Sequence, residues 1–379
     1  MSRLRILFAG GGSGGHLVPA LALAEALSER GDEFFFVHGD REIERPFLAP
    51  FAEGRSHALP VSSSSIGFVF SLRAKKREAQ GVLRSFRPQV VVGLGGRTSY
   101  PVLEAAKSLG IPVLLLEQNR VMGRANRKFS RSAARICHAF PLLGQARLPS
   151  LRWTGLPLRR HLMRLRGGGE ISDLSIPDEE LVLLVLGGSQ GAEVLNLHLP
   201  LLLARLGPEL RERLHVIHVA GPGKEGACFK AYQGTGLRVH VFPFREDVPS
   251  LLRRADLCVL RGGGTTLCEA AALGKGMLVV PIPWHPDKHQ VKNAAFLAEQ
   301  GAAELLSQEE LLRGEGLERI EGLLLDKERR EGMGAQARDA LPRDGTERVL
   351  VELEALARRG ALLPRGGRLE EKENEAVRP

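Results

Sequence analysis

Short apolar runs that end in or near glycine recur along this chain, and each is followed by a longer amphipathic stretch. In the first half they read RILFA, FFFVH, VVVGLGG and VLLLEQN; in the second, LVLLVLGG, HVIHVAG, RVHVFPF, DLCVLRGGG and MLVVPIP. Continuous apolar strands alternating with helical patterns mark βαβ units, whose parallel sheets are buried on both faces. The pattern restarts once, after a polar, glycine-bearing stretch over residues 160–180, with a new first strand near Leu181. At 379 residues the chain exceeds what a single core usually holds. The expected fold class is α/β, with two doubly wound units in tandem.

Glycine-rich loops follow the strands at residues 10–15, 93–96, 187–191 and 262–264. In open parallel sheets ligands sit beyond the carboxyl ends of the strands, where glycine lets backbone approach and helix N-termini offer N–H groups to anions. Any one loop could be a tight turn only; four of them in two units point to a shared cleft. The first, AGGGSGGHLVPALALAEAL, satisfies G-x-G-x-x-G through Gly10, Gly12 and Gly15, and Asp40 could serve as the acid of a dinucleotide site. His16 and Pro19 do not fit that motif, and it leaves the later loops unexplained. A helix is predicted with Leu17, Leu21, Ala24 and Leu27 on one stripe and Gly31 past its end. His16 then stands at the helix start, where the dipole disfavours imidazolium and leaves a neutral ring able to accept a proton. A hydrogen-bonded turn histidine is the competing reading.

The sequence has no G-x-x-x-x-G-K-[ST] loop, no H-E-x-x-H and no D-x-D pair. A sugar-nucleotide enzyme built this way would neutralise its diphosphate leaving group with protein donors instead of a metal. WHPDKHQ places His285 and His289 four apart around Asp287, a spacing a metal could use on a helix; Pro286 and the lack of a further nearby ligand favour polar contacts to a ligand instead. Cys137, Cys228, Cys258 and Cys268 form no C-x-x-C pair and read as buried, reduced thiols. No apolar run reaches the ~18 to 20 residues of a membrane span, and no signal-peptide pattern opens the sequence, so a cytoplasmic location is expected. The net charge of +9 calls for an anionic partner. Arg73, Lys75, Lys76, Arg77, Arg84 and Arg87 cluster around Leu72, Val82, Leu83 and Phe86, and Arg124, Arg127, Lys128 and Arg131 form a second group. Cations beside apolar residues suit an anionic phospholipid surface; with 5% aromatics, nucleic acid is not the expected partner. The tail over 360–379 lacks periodicity and is expected to be disordered.

Taken together, AGGGSGGHLVPALALAEAL, GLGGRTSYP, LLLEQNRVMGRANR, GLPLRR, LGGSQGAEVLN and RGGGTTLCEAAALGKGMLVVPIPWHPDKHQVKNAAFLAEQGAA resemble, in order and spacing, the motifs of the MurG family, the undecaprenyldiphospho-muramoylpentapeptide β-N-acetylglucosaminyltransferases of glycosyltransferase family 28. The resemblance implies a GT-B fold, two Rossmann-like domains facing a deep cleft. Residues 1–158 would be the acceptor and membrane-associating domain, 159–345 the UDP-GlcNAc-binding domain, and a final helix over 346–358 would cross back to the first. It also implies inverting transfer of N-acetylglucosamine from UDP-GlcNAc to the 4-hydroxyl of the muramoyl sugar of lipid I, giving lipid II. This would happen at the cytoplasmic face of the inner membrane by peripheral association, with no cofactor and no required metal. Other cell-wall enzymes are open as partners. Another lipid-directed transferase, such as a diacylglycerol glycosyltransferase, is the alternative, and a non-catalytic nucleotide-sugar-binding or RNA-binding protein a remoter one.

Carried over by motif, His16 is the catalytic candidate. Ser13, Gly14, Gly15, Asn119, Arg159, Ser189, the backbone at Arg245, Gly264, Thr265, Thr266, Leu267, Cys268, Glu269 and Gln290 are donor-site candidates. Among them, Glu269 is expected to accept from ribose hydroxyls and Gln290 to bond hydroxyls of the transferred sugar. Gly95, Gly96, Ser99 and Glu117 are acceptor-side candidates, and Leu72, Arg73, Lys75, Lys76 and Arg77 the membrane patch. The sequence departs from the family's usual residues at Leu116, Arg97, Gly262, Gly264 and His289. The extra glycines suggest a more mobile donor loop.

Overall fold

The computed structural model describes residues 3–362, except 12–13, 52–53, 63, 145–147, 160–170 and 172. The N-terminal sheet is built from β1 (Arg5–Gly10), β2 (Glu33–His38), β3 (Ser56–Ala58), β4 (Val90–Gly95), β5 (Val113–Glu117), β6 (Arg135–His138) and β7 (Leu151–Trp153), in the order β3-β2-β1-β4-β5-β6-β7. The second comprises β8 (Leu181–Leu186), β9 (Leu214–Val219), β10 (Arg238–Phe242), β11 (Leu257–Leu260), β12 (Gly276–Val279) and β13 (Glu304–Leu305), in the order β10-β9-β8-β11-β12-β13. All pairings within both sheets are parallel.

Alternation along a strand sends successive side chains to opposite faces. In β1, Ile6 and Phe8 enter one core with Leu17, Leu23 and Val92, while Leu7 and Ala9 enter another with Val91, Leu103 and Leu115. The second sheet does the same: Val182 and Leu184 pack on one side, Leu183 and Val185 on the other. Helices therefore cover both faces, as the unbroken apolar runs require.

The last helix, Gly345–Leu362, returns to the first domain. Its Val349, Leu353 and Leu356 are buried in the same core as Phe8 and Leu23, and Glu352 pairs with Arg135 (2.5 Å) and Arg152 (3.2 Å). At the crossing, Thr346 Oγ1 donates to the Leu158 carbonyl at 3.0 Å. Gly155, at φ 76°, passes so close that a Cβ would lie 2.1 Å from the Pro342 oxygen. Residues 360–362 continue this helix, and the rest of the tail, 363–379, lies outside the described residues.

Candidate active site

Strand order reverses direction between β1 and β4 in the first sheet and between β8 and β11 in the second. Ligands of doubly wound sheets bind at such switch points, beyond the carboxyl ends of the strands. The four strands flanking them carry the four glycine loops read from the sequence. The loops face one another across a cleft of about 1640 Å³, lined by Gly15, His16, Gly96, Asn119, Arg159, Ser189, Gly264, Glu269 and Gln290 among others. Ser13 lies outside the described residues.

On the N-terminal wall, His16 occupies the first turn of the Gly14–Glu29 helix. Its ring lies over Gly95, whose φ of 91° and missing side chain make room: a Cβ there would be 3.2 Å from the imidazole. The His16 pKa is lowered to about 4, first by burial, then by the positive charge of His289 on the opposite wall; Glu44 acts the other way. Desolvation thus leads in keeping the ring neutral, and the helix dipole adds in the same direction.

Pro19 is the sixth residue of that helix. Having no N–H, it leaves the Gly15 carbonyl without its i+4 donor. The hydroxyl of Thr265, from the opposite domain, donates to that oxygen at 2.8 Å. Gly96, at φ 77°, opens the Gly96–Ser108 helix that follows β4, and a Cβ on it would lie 2.4 Å from the Gly11 oxygen, so the two glycine loops touch.

Two acceptor-side expectations are corrected. Ser99 is fully buried and its hydroxyl donates to the Gly96 carbonyl at 2.8 Å, so it closes the helix turn instead of meeting a ligand. Glu117 is also buried and accepts from the backbone N–H groups of Asn119 (3.0 Å) and Gly123 (2.9 Å) and from Asn126 Nδ2 (3.0 Å). It organises the 117–123 loop; burial raises its pKa, and these bonds oppose the shift.

On the C-terminal wall, the Gly264–Ala272 helix begins at the cleft, and its first-turn N–H groups lack intrahelical partners by construction. Thr266 lines the cleft, whereas the side chains of Leu267 and Cys268 point into the core, leaving only their backbone for a ligand. Glu269 is buried, its Oε1 has no hydrogen-bond partner, and burial lifts its pKa to about 7 against the opposing pull of Arg159. Arg159 Nε is likewise buried without a partner. Unpaired buried groups of opposite charge on one cleft wall are what a polar ligand would complete. Ser189 is exposed in its loop. The Arg245 guanidinium is committed to Asp173 (2.5 and 2.8 Å) and Asp247 (2.7 Å to each oxygen), which pins the loop and leaves backbone for a ligand. The Gln290 carbonyl accepts from Gly262 N (3.2 Å) and Ile282 N (3.1 Å), so its amide NH2 is the group that remains.

The walls are joined by a residue that sequence reasoning missed. Asn293, fully buried, accepts from Arg120 N at 2.8 Å and donates to Asn119 Oδ1 (2.9 Å) and to the Gly262 carbonyl (3.0 Å). The only signal in the sequence is a polar side chain three residues after Gln290, leading an apolar helical stretch. Gly262 and Gly264 serve close approach here: a Cβ on Gly262 would lie 2.4 Å from the Gln290 oxygen, and one on Gly264 only 2.0 Å from the Gln118 oxygen. The expectation of a looser donor loop gives way to two contacts that only glycine allows.

Residues 6–138 match the glycosyltransferase family 28 N-terminal domain, and residues 182–349 the glycosyltransferase family 28 C-terminal domain. The chain belongs to glycosyltransferase family 28. It is 37% identical over 361 residues to the UDP-N-acetylglucosamine–N-acetylmuramyl-(pentapeptide) pyrophosphoryl-undecaprenol N-acetylglucosamine transferase of Pseudomonas fluorescens, spanning 92% of this chain and 97% of that one. The protein of the same description from Desulfotalea psychrophila is 33% identical over 95% of this chain and 99% of its own. Among solved structures, Acinetobacter baumannii MurG matches with a TM-score of 0.72 and 28% identity, over 93% of this chain and 99% of that one. A UDP-GlcNAc 2-epimerase from Neisseria meningitidis, at 17% identity and a TM-score of 0.66 over 93% of this chain and 100% of its own, shares the fold alone.

In this family 28 chain the cleft's N-terminal rim runs on to an apolar surface. The Ser65–Phe86 helix exposes Ile66 (72%), Val69 (67%) and Phe70 (83%), and Val69 also lines the cleft with Leu143, Arg97 and Arg124. The sequence had centred this patch on Leu72 and Lys75. Leu72 is half-buried, and Lys75 is held by Glu78 at 2.9 Å, so the exposed apolar face begins one to two turns earlier. Arg73 and Arg77 are exposed and Lys76 half-exposed. Among the described residues no helix is long and apolar enough to cross a membrane.

Proposed function

We propose that this chain transfers N-acetylglucosamine from UDP-GlcNAc to the 4-hydroxyl of the muramoyl sugar of lipid I, with inversion and without a required metal, giving lipid II. The observation that carries this reading is the pairing of the unpartnered Glu269 and Arg159 on one wall with a neutral His16 on the other. Glu269 accepts the ribose hydroxyls. Ser189, the N–H groups at Gly264 to Thr266 and the Arg159 guanidinium hold the diphosphate, spreading the charge that develops as it leaves. The Gln290 NH2 donates to a hydroxyl of the transferred sugar.

The acceptor oxygen attacks the anomeric carbon from the face opposite the diphosphate. As that C–O bond forms, the bond to the diphosphate oxygen breaks and its electron pair leaves with UDP. The hydroxyl proton passes to the unprotonated nitrogen of His16. A pKa of about 4 makes His16 a weak base in the empty cleft; the arriving diphosphate, an anion, favours the imidazolium and offsets this. The acceptor's polyprenyl chain rests against the Ile66, Val69 and Phe70 face, with Arg73 and Arg77 toward anionic phospholipid at the cytoplasmic surface of the inner membrane.

UDP release measured with a short-chain lipid I analogue, and separately with diacylglycerol, tests the reading. Turnover on lipid I that persists in EDTA is expected. Activity confined to diacylglycerol would replace the acceptor, and tight, steeply salt-dependent RNA binding without any turnover would replace the enzyme.

A further inference from the structure

Across the cleft from His16, the 284–289 loop brings together three side chains that the transfer mechanism does not use. His285 Nδ1 lies 2.6 Å from Asp287 Oδ1, and His289 Nδ1 lies 2.7 Å from the same oxygen. The two rings stand nearly perpendicular with centroids 4.3 Å apart. One ligand atom from each of the three residues lies within 4.8 Å of the others. The two histidines do not share a helix, because the helix starts only at His289. The turn itself does the gathering: Lys288 takes a left-handed φ of 51°, and the His289 N–H donates to Asp287 Oδ1 at 3.1 Å, which fixes the carboxylate between the rings.

We propose that His285, Asp287 and His289 form a Zn²⁺ site on the cleft wall, and that zinc bound there inhibits transfer. Two borderline imidazole donors beside a single hard carboxylate suit zinc better than magnesium. Three protein ligands leave the fourth tetrahedral position open toward the cleft, which all three residues line. Ligand bonds of about 2.0–2.2 Å require the N···O separations to open to about 3.3 Å. Rotation of the His285 ring, whose side chain is 49% exposed, supplies part of that movement. Binding exchanges the Nδ1 protons for the metal and shifts both rings to the Nε2–H tautomer, so no redox step or co-reactant is needed.

The inhibitory direction follows from the opposite wall. His16 and the three ligands line the same cleft, so a divalent ion held on one wall places fixed positive charge in the space where the His16 imidazolium must form, and so weakens the proton acceptor. This second half rests on the transfer reading above, whereas the binding half does not.

The test uses the full-length chain, stripped with EDTA and free of any purification tag. Titration with ZnCl₂ by calorimetry is expected to show one ion per chain with low-micromolar or tighter affinity. Cobalt is expected to bind at the same place and give tetrahedral visible absorption. His289→Gln and Asp287→Asn should each weaken zinc binding at least about 10–100-fold, the loss seen even for outer partners of metal ligands, with unchanged melting temperature. Lack of saturable zinc binding, or one equivalent that survives both substitutions, overturns the site. If zinc binds at these residues while turnover on lipid I is unaffected by it, the inhibitory role is overturned. The four cysteines are buried and do not compete.

Discussion

Glu269 offers the most direct test of how the cleft takes its donor. In the free protein its carboxyl is raised to about 7 by burial, and its Oε1 is unpartnered. Ribose hydroxyls would donate to the carboxylate and not to the acid, so binding pulls the pKa down. Two hydrogen bonds to a charged acceptor, at about 1.5–3 kcal/mol each, suffice to bring it below about 5. The sign follows: the bound state prefers the deprotonated form, so affinity is full above pH 7 and lost as pH falls through the free-state value. The ratio of protonation factors makes Kd rise about tenfold, or ~1.4 kcal/mol, between about pH 8 and pH 6. About half a proton should be released per ligand near pH 7. UDP-GlcNAc is the right probe, since its diphosphate is a diester with no ionisation in this range. Calorimetry in two buffers of different ionisation enthalpy reads both quantities. Glu269→Gln should bind more weakly at pH 8 and show a flat profile. A wild-type Kd constant within about twofold across this range, with no proton release, would refute the assignment of Glu269 to the donor.

His16→Ala should lower kcat by about 10²-fold or more while leaving the donor Kd unchanged; intact kcat with only a raised acceptor KM would reduce His16 to a positioning group. Replacing Ile66 and Phe70 with serine should weaken sedimentation with anionic vesicles, and charge removal at Arg73 or Arg77 should weaken it by about 1 kcal/mol each at low salt. Equal binding to neutral and anionic vesicles contradicts the patch. Gly264→Ala puts a Cβ 2.0 Å from the Gln118 oxygen, which forces the walls apart by at least about 1 Å and breaks domain-bridging bonds worth about 0.5–1.5 kcal/mol each. A raised donor KM and a larger radius of gyration are expected; kinetics and scattering indistinguishable from wild type would show that the closed arrangement does not matter.

The architecture was legible because it rests on local pattern. Runs such as VVVGLG and LVLLVL can only be strands covered on both faces, and the glycine after each marks where the backbone turns at the switch points. The positions of His16, Ser189 and Glu269 on the cleft were legible for the same reason, since each stands in or within two turns of such a glycine loop; Gln290 was placed by its motif, with no glycine after its strand. Ser99 and Glu117 were misjudged because polarity near a loop looks alike whether the side chain faces a ligand or, as here, satisfies the loop's own backbone. The patch was placed at Leu72 because the basic run begins there; which apolar face of the Ser65–Phe86 helix stays uncovered depends on what packs against the other side.

What sequence pattern could not supply is the fit between the two domains. Pro19 reads as an ordinary helix-start residue, yet its effect is to release the Gly15 carbonyl, which Thr265 takes up from 250 residues away. Gly264 reads as part of a phosphate loop, yet its missing Cβ is filled by the Gln118 carbonyl. Asn293 has only its polarity to mark it in the sequence, yet it is bonded both to the opposite wall, at Asn119 and Arg120, and to Gly262 of its own. Each signal is a residue that lacks something its neighbours have, an N–H, a Cβ or an apolar side chain. A deficit of that kind acquires meaning only when the opposite wall is in place to complete it. The same holds for Glu269 and Arg159, whose Oε1 and Nε find no partner among the described residues. Thr265 and Asn293 tie the two walls to each other, whereas Glu269 and Arg159 keep unpaired atoms on the cleft lining, and that difference separates the hinge of the cleft from the place where a donor would bind.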